Sequence, residues 1–230
     1  MSDGVKRLFS EVSNTYKLVN HIITFGMDIR WRRKAVKLAT IGGGLKWIDV
    51  CTGTGEMAVY LLRLAPEGTE VYTSDFSLPM LMKAKQRKEA DRITFVLADS
   101  GSLPFPDGFF DLVTISFATR NINTDRKNLA QCFNEFYRVL KPGGRFVNLE
   151  TSQPTSKIIK ILFHLYVRSF VRVAGRIISG SESAYKYLAY TITCFYSAED
   201  LAALIRQAGF SSVTYYRLLN GVTAIHKAIK

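Results

Sequence analysis

Apolar and polar positions along the chain fall into three regimes. The first is helical. Val5, Leu8, Phe9, Val12, Tyr16 and Val19 recur about one turn apart over residues 5–20. Phe25-Gly26 breaks the pattern. Asp28 opens a second helix with Trp31, Ala35, Leu38 and Ala39 on one side and Arg32, Arg33 and Lys37 on others, stopped by Gly42-Gly43-Gly44. The second regime alternates. Continuous apolar runs at residues 46–51, 70–75, 93–98, 110–117 and 145–150 read as strands covered on both faces, and helical patterns near 56–64, 78–89 and 126–140 lie between them. Leu140-Lys141-Pro142-Gly143-Gly144 stops the last of these helices and turns the chain into the fifth strand.

The third regime begins at residue 155. Lys157, Lys160, His164, Arg168, Arg172 and Arg176 recur at steps of three or four and cover an arc of roughly 160° on a helix. Ile159, Leu162, Phe163, Tyr166, Phe170, Val173 and Ile177 fall opposite, which predicts a basic amphipathic helix ending near Gly175 or Gly180. Ser197 caps a final helix with Glu199 and Asp200 in its first turn and Gly209 at its end; residues 213–218 and 221–228 then read as an antiparallel pair. The expected architecture is α/β: a doubly wound, seven-stranded sheet with N-terminal helices and a helical insertion before the last helix and strand pair. It forms one domain: a helical cap at 1–42, a core at 43–153, the insertion at 154–195 and a C-terminal unit at 196–230.

The second regime carries the chemistry. Trp47-Ile48-Asp49-Val50-Cys51-Thr52-Gly53-Thr54-Gly55 reads as a buried strand running into a glycine turn and a helix N-terminus. Gly53 and Gly55 permit a tight turn and a close ligand, and the unpaired N–H groups of the helix favour polar or anionic atoms. Residues 53–58 fit G-x-G-x-x-A, a dinucleotide fingerprint that is weak alone. Asp49, four residues earlier, shifts the balance, because the stretch then resembles motif I of class I S-adenosylmethionine (SAM) methyltransferases, whose acid faces the methionine end of the cofactor. Asp75, 22 residues after Gly53, ends the second strand, where a carboxylate can accept both ribose hydroxyls of a nucleoside. Asp99 follows the third strand with Ser100, a place that meets the adenine edge in methyltransferases. The bland alternative is a strand–turn–helix with no ligand.

Length and composition suit one soluble core: 230 residues, 47% of them hydrophobic. No uncharged run of 18 residues occurs, so no spanning helix is expected, and the first residues lack an apolar signal segment. Cys51, Cys132 and Cys194 are scattered, which suggests a reducing compartment and no zinc site; His21, His164 and His226 read as surface or core histidines, and no metal is expected. The net charge of +12 is uneven. Residues 1–40 hold 8 basic and 3 acidic side chains, residues 155–180 hold 5 and none, and residues 41–154 balance at 13 and 13. The appendages therefore meet an anionic surface, membrane lipid or nucleic acid, unless the charge serves solubility alone. Against nucleic acid, the end of the fourth strand holds Ser116-Phe117-Ala118-Thr119-Arg120-Asn121 in place of an Asn/Asp-Pro-Pro-Tyr motif, and aromatic residues for base stacking are not evident. The 155–180 helix is either a lid with a solvated basic face or a helix at the bilayer interface that also lines an apolar tunnel.

Together these residues resemble the ubiquinone/menaquinone biosynthesis C-methyltransferases over nearly the whole chain. The marks are Tyr16 with Asn20, Phe25-Gly26, Trp31-Arg32-Arg33, Asp49 to Gly55, Leu103-Pro104-Phe105-Pro106-Asp107, Thr114-Ile115-Ser116-Phe117, Arg120-Asn121, the Leu-Lys-Pro-Gly-Gly turn, Tyr185-Lys186-Tyr187-Leu188-Ala189 and Ala208-Gly209-Phe210. The resemblance implies methyl transfer from SAM to a ring carbon of a reduced polyprenylated quinol. It implies cofactor contacts among Asp49, Thr52, Gly53, Thr54, Gly55, Asp75, Phe76, Asp99, Ser100 and Ser116, catalysis by Arg120 and Asn121, and acceptor contacts from Tyr16, Asn20 and Tyr187. It also implies a cytoplasmic enzyme bound peripherally to the inner membrane face through residues 155–180, with no nucleic-acid partner, and allows a homodimer. Lys17, Asp28-Ile29, Glu56 and Thr151 depart from the family pattern and bear on the acceptor ring. Two alternatives stand: a methyltransferase for another isoprenoid or small phenolic acceptor, and a non-catalytic SAM-binding scaffold at the membrane.

Overall fold

The computed structural model describes residues 16–123 and 126–230. Its elements, in chain order, are α1 (Tyr16–Ile23), α2 (Met27–Thr40), β1 (Lys46–Val50), α3 (Glu56–Leu64), β2 (Glu70–Asp75), α4 (Leu78–Lys85), β3 (Ile93–Leu97), β4 (Phe110–Ser116), α5 (Thr119–Ile122), α6 (Arg126–Val139), β5 (Leu140–Thr151), α7 (Lys157–Tyr166), α8 (Arg172–Ser179), α9 (Glu182–Thr193), α10 (Ala198–Gln207), β6 (Ser212–Leu218) and β7 (Thr223–Ile229). The helix expected over residues 5–20 lies mostly outside the described residues.

Among the described residues the strands form one seven-stranded sheet in the order β3-β2-β1-β4-β5-β7-β6. β1 to β5 pair in parallel, and β7 runs antiparallel to both β5 and β6. The strand order reverses between β1 and β4, whose C-terminal ends open the crevice where such sheets bind ligands. Alternation along β1 divides the core. Ile48 and Val50 face a layer of Phe133, Phe136 and Ile205 from α6 and α10. Trp47 faces a layer of Trp31, Ala35 and Val36 from α2 with Met57 and Leu61 from α3. The Lys-Pro-Gly-Gly segment does not separate α6 from the strand as expected. Leu140 already pairs with Phe110, Arg145 pairs with Leu112, and the four residues between bulge outward.

The insertion differs more. A single π-helical turn, Val167–Val171, joins α7 to α8, and only part of the expected apolar face, Phe163 and Tyr166, packs against the protein. Val167 and Val171 are buried against Ala189 and Ile192 of α9. His164, expected on the solvated basic face, instead bonds Gln153 Oε1 at 2.8 Å, and burial holds its pKa below the usual histidine value. Of the residues on the expected apolar face, Leu162, Phe170, Val173 and Ile177 are exposed, while Phe163 and Tyr166 line an interior cavity. Arg32, expected on an outer side of α2, is buried. Among the described residues no helix is long and apolar enough to cross a membrane.

Asp111 fastens the start of β4 to the start of β1. Its Oδ2 accepts the Leu45 and Lys46 N–H groups, each at 3.0 Å, and Lys141 Nζ closes on both oxygens at 2.9 Å. Gly44 (φ +82°) leaves room for this, since a Cβ there would lie 2.2 Å from Asp111 Cβ. Gly68 (φ +79°) has the same backbone strain but open space. Gly44→Ala is therefore expected to lower unfolding free energy by at least about 1 kcal/mol more than Gly68→Ala, as read by urea denaturation. Equal costs would mean that the Asp111 contact constrains nothing.

Candidate active site

Two chambers meet at the C-terminal ends of β1, β2, β4 and β5. The first is a narrow cleft lined by Arg32, Thr52, Gly53, Asp75, Ser116 and Asn121, together with Cys51, Glu56, Phe76, Met80, Phe117, Ala118 and Ile122. Ile122 also borders a neighbouring hollow of about 160 Å³ formed by Asp99, Ser100, Gly101, Ser102, Asn128, Gln131 and Cys132. The second chamber, about 250 Å³, lies under the helical cap and is lined by Asn20, Thr24, Phe25, Asp28, Trp31, Arg120, Thr151 and apolar side chains of the insertion, including Phe163, Val167 and Val171. Arg32 and Phe117 belong to the walls of both chambers.

Local sequence explains the cleft. Gly53 (φ +57°) turns the chain out of β1, and a Cβ on it would meet nothing within 4 Å. Its N–H donates to Asp75 Oδ2 at 2.8 Å, while the Ser77 N–H donates to Oδ1 at 2.9 Å. Asp75 thus presents a carboxylate fixed from behind by backbone, with further lone pairs toward the cleft. Cys51 (φ +51°) and Phe117 (φ +55°) hold left-handed conformations just beyond β1 and β4, a strain of the kind that collects at binding sites. Asn121 Oδ1 is buried with no hydrogen-bond partner among the described residues, and Asn121 lines the cleft.

The remaining sequence-expected residues take different places. Asp49 is fully buried and absent from the wall; it accepts Thr52 Oγ1 at 2.6 Å and Thr114 Oγ1 at 2.8 Å, so it stands one layer behind Thr52. Thr54 Oγ1 donates to Glu56 Oε2 at 2.8 Å, and the Thr54 carbonyl accepts Arg87 Nε at 2.5 Å. Gly55 (φ +80°) caps α3 behind the wall. Asp99 Oδ1 accepts the Gly101 N–H at 2.9 Å, and Ser100 Oγ lies 3.4 Å from Cys132 Sγ. Arg120 donates through Nη1 to Glu150 Oε1 at 2.6 Å and to the Phe117 carbonyl at 2.9 Å. Tyr187, half-buried in α9, has its hydroxyl pKa raised by burial, while the charge of Arg120 opposes that rise. The side chain of Tyr16 lies outside the described residues. Among the described residues no cluster of histidine, cysteine or carboxylate groups could hold a metal.

Arg32, Asp28, Glu56, Met80 and Phe117 also line the chambers. Sequence reasoning gave them no site role, although the Asp28–Arg32 spacing of one helical turn was a usable signal.

The residues fit a nucleoside carrying an amino acid. The glycine bend gives backbone access, Asp75 suits ribose hydroxyls, and the Asp99 hollow adjoins the cleft through Ile122. With that fold, the site is that of a class I SAM-dependent methyltransferase. Comparison with known proteins is specific. The chain belongs to the ubiE/COQ5 methyltransferase family, whose sequence model matches residues 1–230. It is 42% identical over 221 residues to the demethylmenaquinone methyltransferase of Thermus thermophilus, covering 95% of this chain and 98% of that one. It is 39% identical over 227 residues to the ubiquinone/menaquinone biosynthesis C-methyltransferase UbiE of Desulfotalea psychrophila, covering 99% and 90%. The solved structure of a SAM-dependent methyltransferase from Thermotoga maritima shares the fold at a TM-score of 0.69 and 18% identity, covering 97% and 99%.

Burial governs the two acids beside the cleft. It pushes Asp75 up to about 6, against hydrogen bonds from Ser77, Gly53 and Phe76. It pushes Asp49 up to about 7, against the Thr52 and Thr114 hydroxyls and the charge of Arg32. Both groups bind a proton more tightly folded than unfolded. Between about pH 4 and 7 the native state therefore holds the extra protons, and stability falls as pH rises. Asp49→Asn removes the larger part of this penalty. The variant is expected to melt at least about 2 °C above the parent at pH 8 and to converge with it only below about pH 4, by differential scanning calorimetry. A variant less stable than the parent at pH 8 would contradict the burial penalty.

Proposed function

We propose that this protein methylates a ring carbon of a reduced, polyprenylated quinol, with SAM as methyl donor. The observation that carries this reading is the pair of adjoining chambers, one polar with nucleoside-binding groups and one apolar, sharing the wall made by Arg32 and Phe117. Family membership supports the chemistry. When bound, SAM supplies a methyl group already activated on a sulfonium, so the protein's task is alignment and acceptor activation. Alignment of this kind is worth roughly 7–11 kcal/mol.

Asp75 accepts the ribose hydroxyls, Asp99 and Ser100 meet the adenine, and Thr52, Gly53, Thr54, Gly55, Phe76 and Ser116 shape the cleft. Asp49 acts through Thr52, which it orients from behind. On the acceptor side, Asn20 and Tyr187 border the ring, and Tyr16 is assigned to it by the family resemblance alone. Arg120 stabilises the phenolate formed when the quinol hydroxyl gives its proton to water, Asn121 orients the reacting ring from the cleft side, and once the ring carbon holds the methyl group its own hydrogen leaves as a proton to water, which restores the aromatic ring beside S-adenosylhomocysteine. The phenolate charge spreads to the ortho carbon, which becomes the nucleophile. A quinone has neither the hydroxyl nor this electron density. Glu150 pins the Arg120 guanidinium, so little reorganisation accompanies the step.

Mass spectrometry of the acceptor after incubation with labelled SAM tests the reaction. Label is expected on the quinol kept reduced by dithionite and not on the quinone; equal labelling of both overturns the reading. Removing Arg120 alone would strand the buried Glu150 charge. The double substitution Arg120→Gln with Glu150→Gln avoids this. It is expected to lower turnover by about 10²–10³-fold while S-adenosylhomocysteine affinity changes less than about twofold. Unchanged turnover would remove Arg120 from catalysis.

The exposed side of α7 and α8 supports delivery of the acceptor from a membrane. Ile158, Ile161, Leu162, Leu165, Val173 and Ile177 are each at least half exposed, and Lys157, Lys160, Arg168, Arg172 and Arg176 flank them. Apolar residues of this kind enter the headgroup region while the bases meet anionic lipid, each basic residue contributing about 1 kcal/mol. Replacing the five bases by glutamine is expected to reduce flotation with phosphatidylglycerol vesicles more than about tenfold. Unchanged flotation excludes the bilayer contact; a fall in oligomeric mass with the same variant would assign this face to a second copy of the chain.

A further inference from the structure

Arg32 lines both chambers. Its environment is restrictive. Nη1 donates to Asp28 Oδ2 at 2.8 Å. Asp28 is itself held, with Thr24 Oγ1 donating to Oδ1 at 3.1 Å and His21 Nδ1 also 3.1 Å from Oδ1. The guanidinium carbon lies 5.0 Å from the centroid of the Phe117 ring. One terminal nitrogen is thus anchored and one face stacked, so the plane of the group is set. The side chain is about 5% exposed, and its Nε is buried without a hydrogen-bond partner among the described residues. The Nε–Nη2 edge of a guanidinium is a fork of two parallel donors, and its natural complement is a carboxylate.

We propose that this edge of Arg32 holds the carboxylate at the methionine end of SAM, with Asp28 as the residue that positions it. The proposal rests on the reading of the cleft as the SAM site. Asp75 and the Asp99 hollow take the nucleoside end, and Arg32 stands on the wall of the same cleft, beside Phe117. Asp49, one layer behind Thr52, is near enough for the charge of Arg32 to act on it. On a wall that also carries Asp75 and Glu56, Arg32 is the cationic side chain, the match for the carboxylate of an α-amino acid. A phenolic acceptor oxygen, the competing occupant from the apolar side, would use one donor of the fork and leave the other unmet.

The test is isothermal titration of S-adenosylhomocysteine and of S-adenosyl-3-thiopropylamine, which keeps the nucleoside and ammonium but lacks the carboxylate. The parent protein is expected to prefer S-adenosylhomocysteine. Arg32→Gln is expected to weaken S-adenosylhomocysteine by about 10- to 100-fold, the range for hydrogen bonds to a charged group, and to leave S-adenosyl-3-thiopropylamine within about twofold. Arg32→Lys, which keeps the charge and loses the fork, recovers only part of the loss and carries the same test if the glutamine variant does not fold. Equal weakening of both ligands, or of neither, overturns the proposal. A raised KM for the quinol with unchanged S-adenosylhomocysteine affinity overturns it in favour of the acceptor oxygen. Asp75→Asn separates the two levels: if it leaves both ligands unaffected, the reading of the cleft itself has failed, whatever Arg32 does.

Discussion

Arg120 and Glu150 are buried against each other where β4 passes into α5 and β5 ends. Glu150 Oε1 takes the guanidinium at 2.6 Å, and Oε2 takes the Arg120 backbone N–H at 3.2 Å. Breaking such a pair by removing one partner costs about 3–5 kcal/mol, because the other charge is left in the interior. This matters because α5 has four residues, far too few to hold a helical conformation by itself. Side-chain bonds to β5 hold it instead, with Thr119 Oγ1 donating to Asn148 Oδ1 at 2.5 Å as a second tie. α5 is the partition between the chambers. It shows Arg120 to the apolar cavity and Asn121 to the polar cleft, and Phe117, just before it, borders both. On the proposed reading, the relative placement of donor and acceptor therefore depends on an almost wholly buried salt bridge.

The sequence made the sheet legible because its signals are local. Apolar runs of strand length, a glycine bend after the first and an acid at the end of the second follow from backbone sterics and burial within a few residues, and β1 to β4 appear within a residue or two of their expected ends. Direction was left open. Periodicity over residues 155–180 says that a helix has two faces; it does not say which face finds protein. Val167 and Val171 turn inward because α9 offers Ala189 and Ile192, contacts remote in sequence. That choice leaves the Ile158–Ile177 stripe outward. Arg32 was lost for a related reason. Trp31 and Ala35 mark one inner line of α2, but this helix packs on the sheet and borders both chambers, so its buried face is wider than a single stripe. The apolar cavity gathers residues from Asn20 to Thr223 and has no local signature at all.

The distribution of charge around the partition fits the proposed transfer. The cleft side places Asp75 on its wall and Asp49 behind it. The cavity side places the cationic Arg120 and the Asp28–Arg32 pair at the edge of a surface made mainly of apolar side chains such as Phe117, Phe163, Val167, Val171, Leu188 and Ile192. Methyl transfer from a sulfonium to a phenolate consumes one charge of each sign, so the system becomes less polar as it approaches the transition state. A wall with few dipoles solvates the separated charges poorly and the cancelling charges almost as well, which lowers the barrier relative to water. Such a wall would equally discourage formation of the phenolate. On the proposed reading the fixed Arg120 cation offsets that cost in an apolar chamber, and Glu150 compensates the burial of the Arg120 charge. On that reading, an apolar cavity without the buried pair would bind the prenylated ring and leave it protonated.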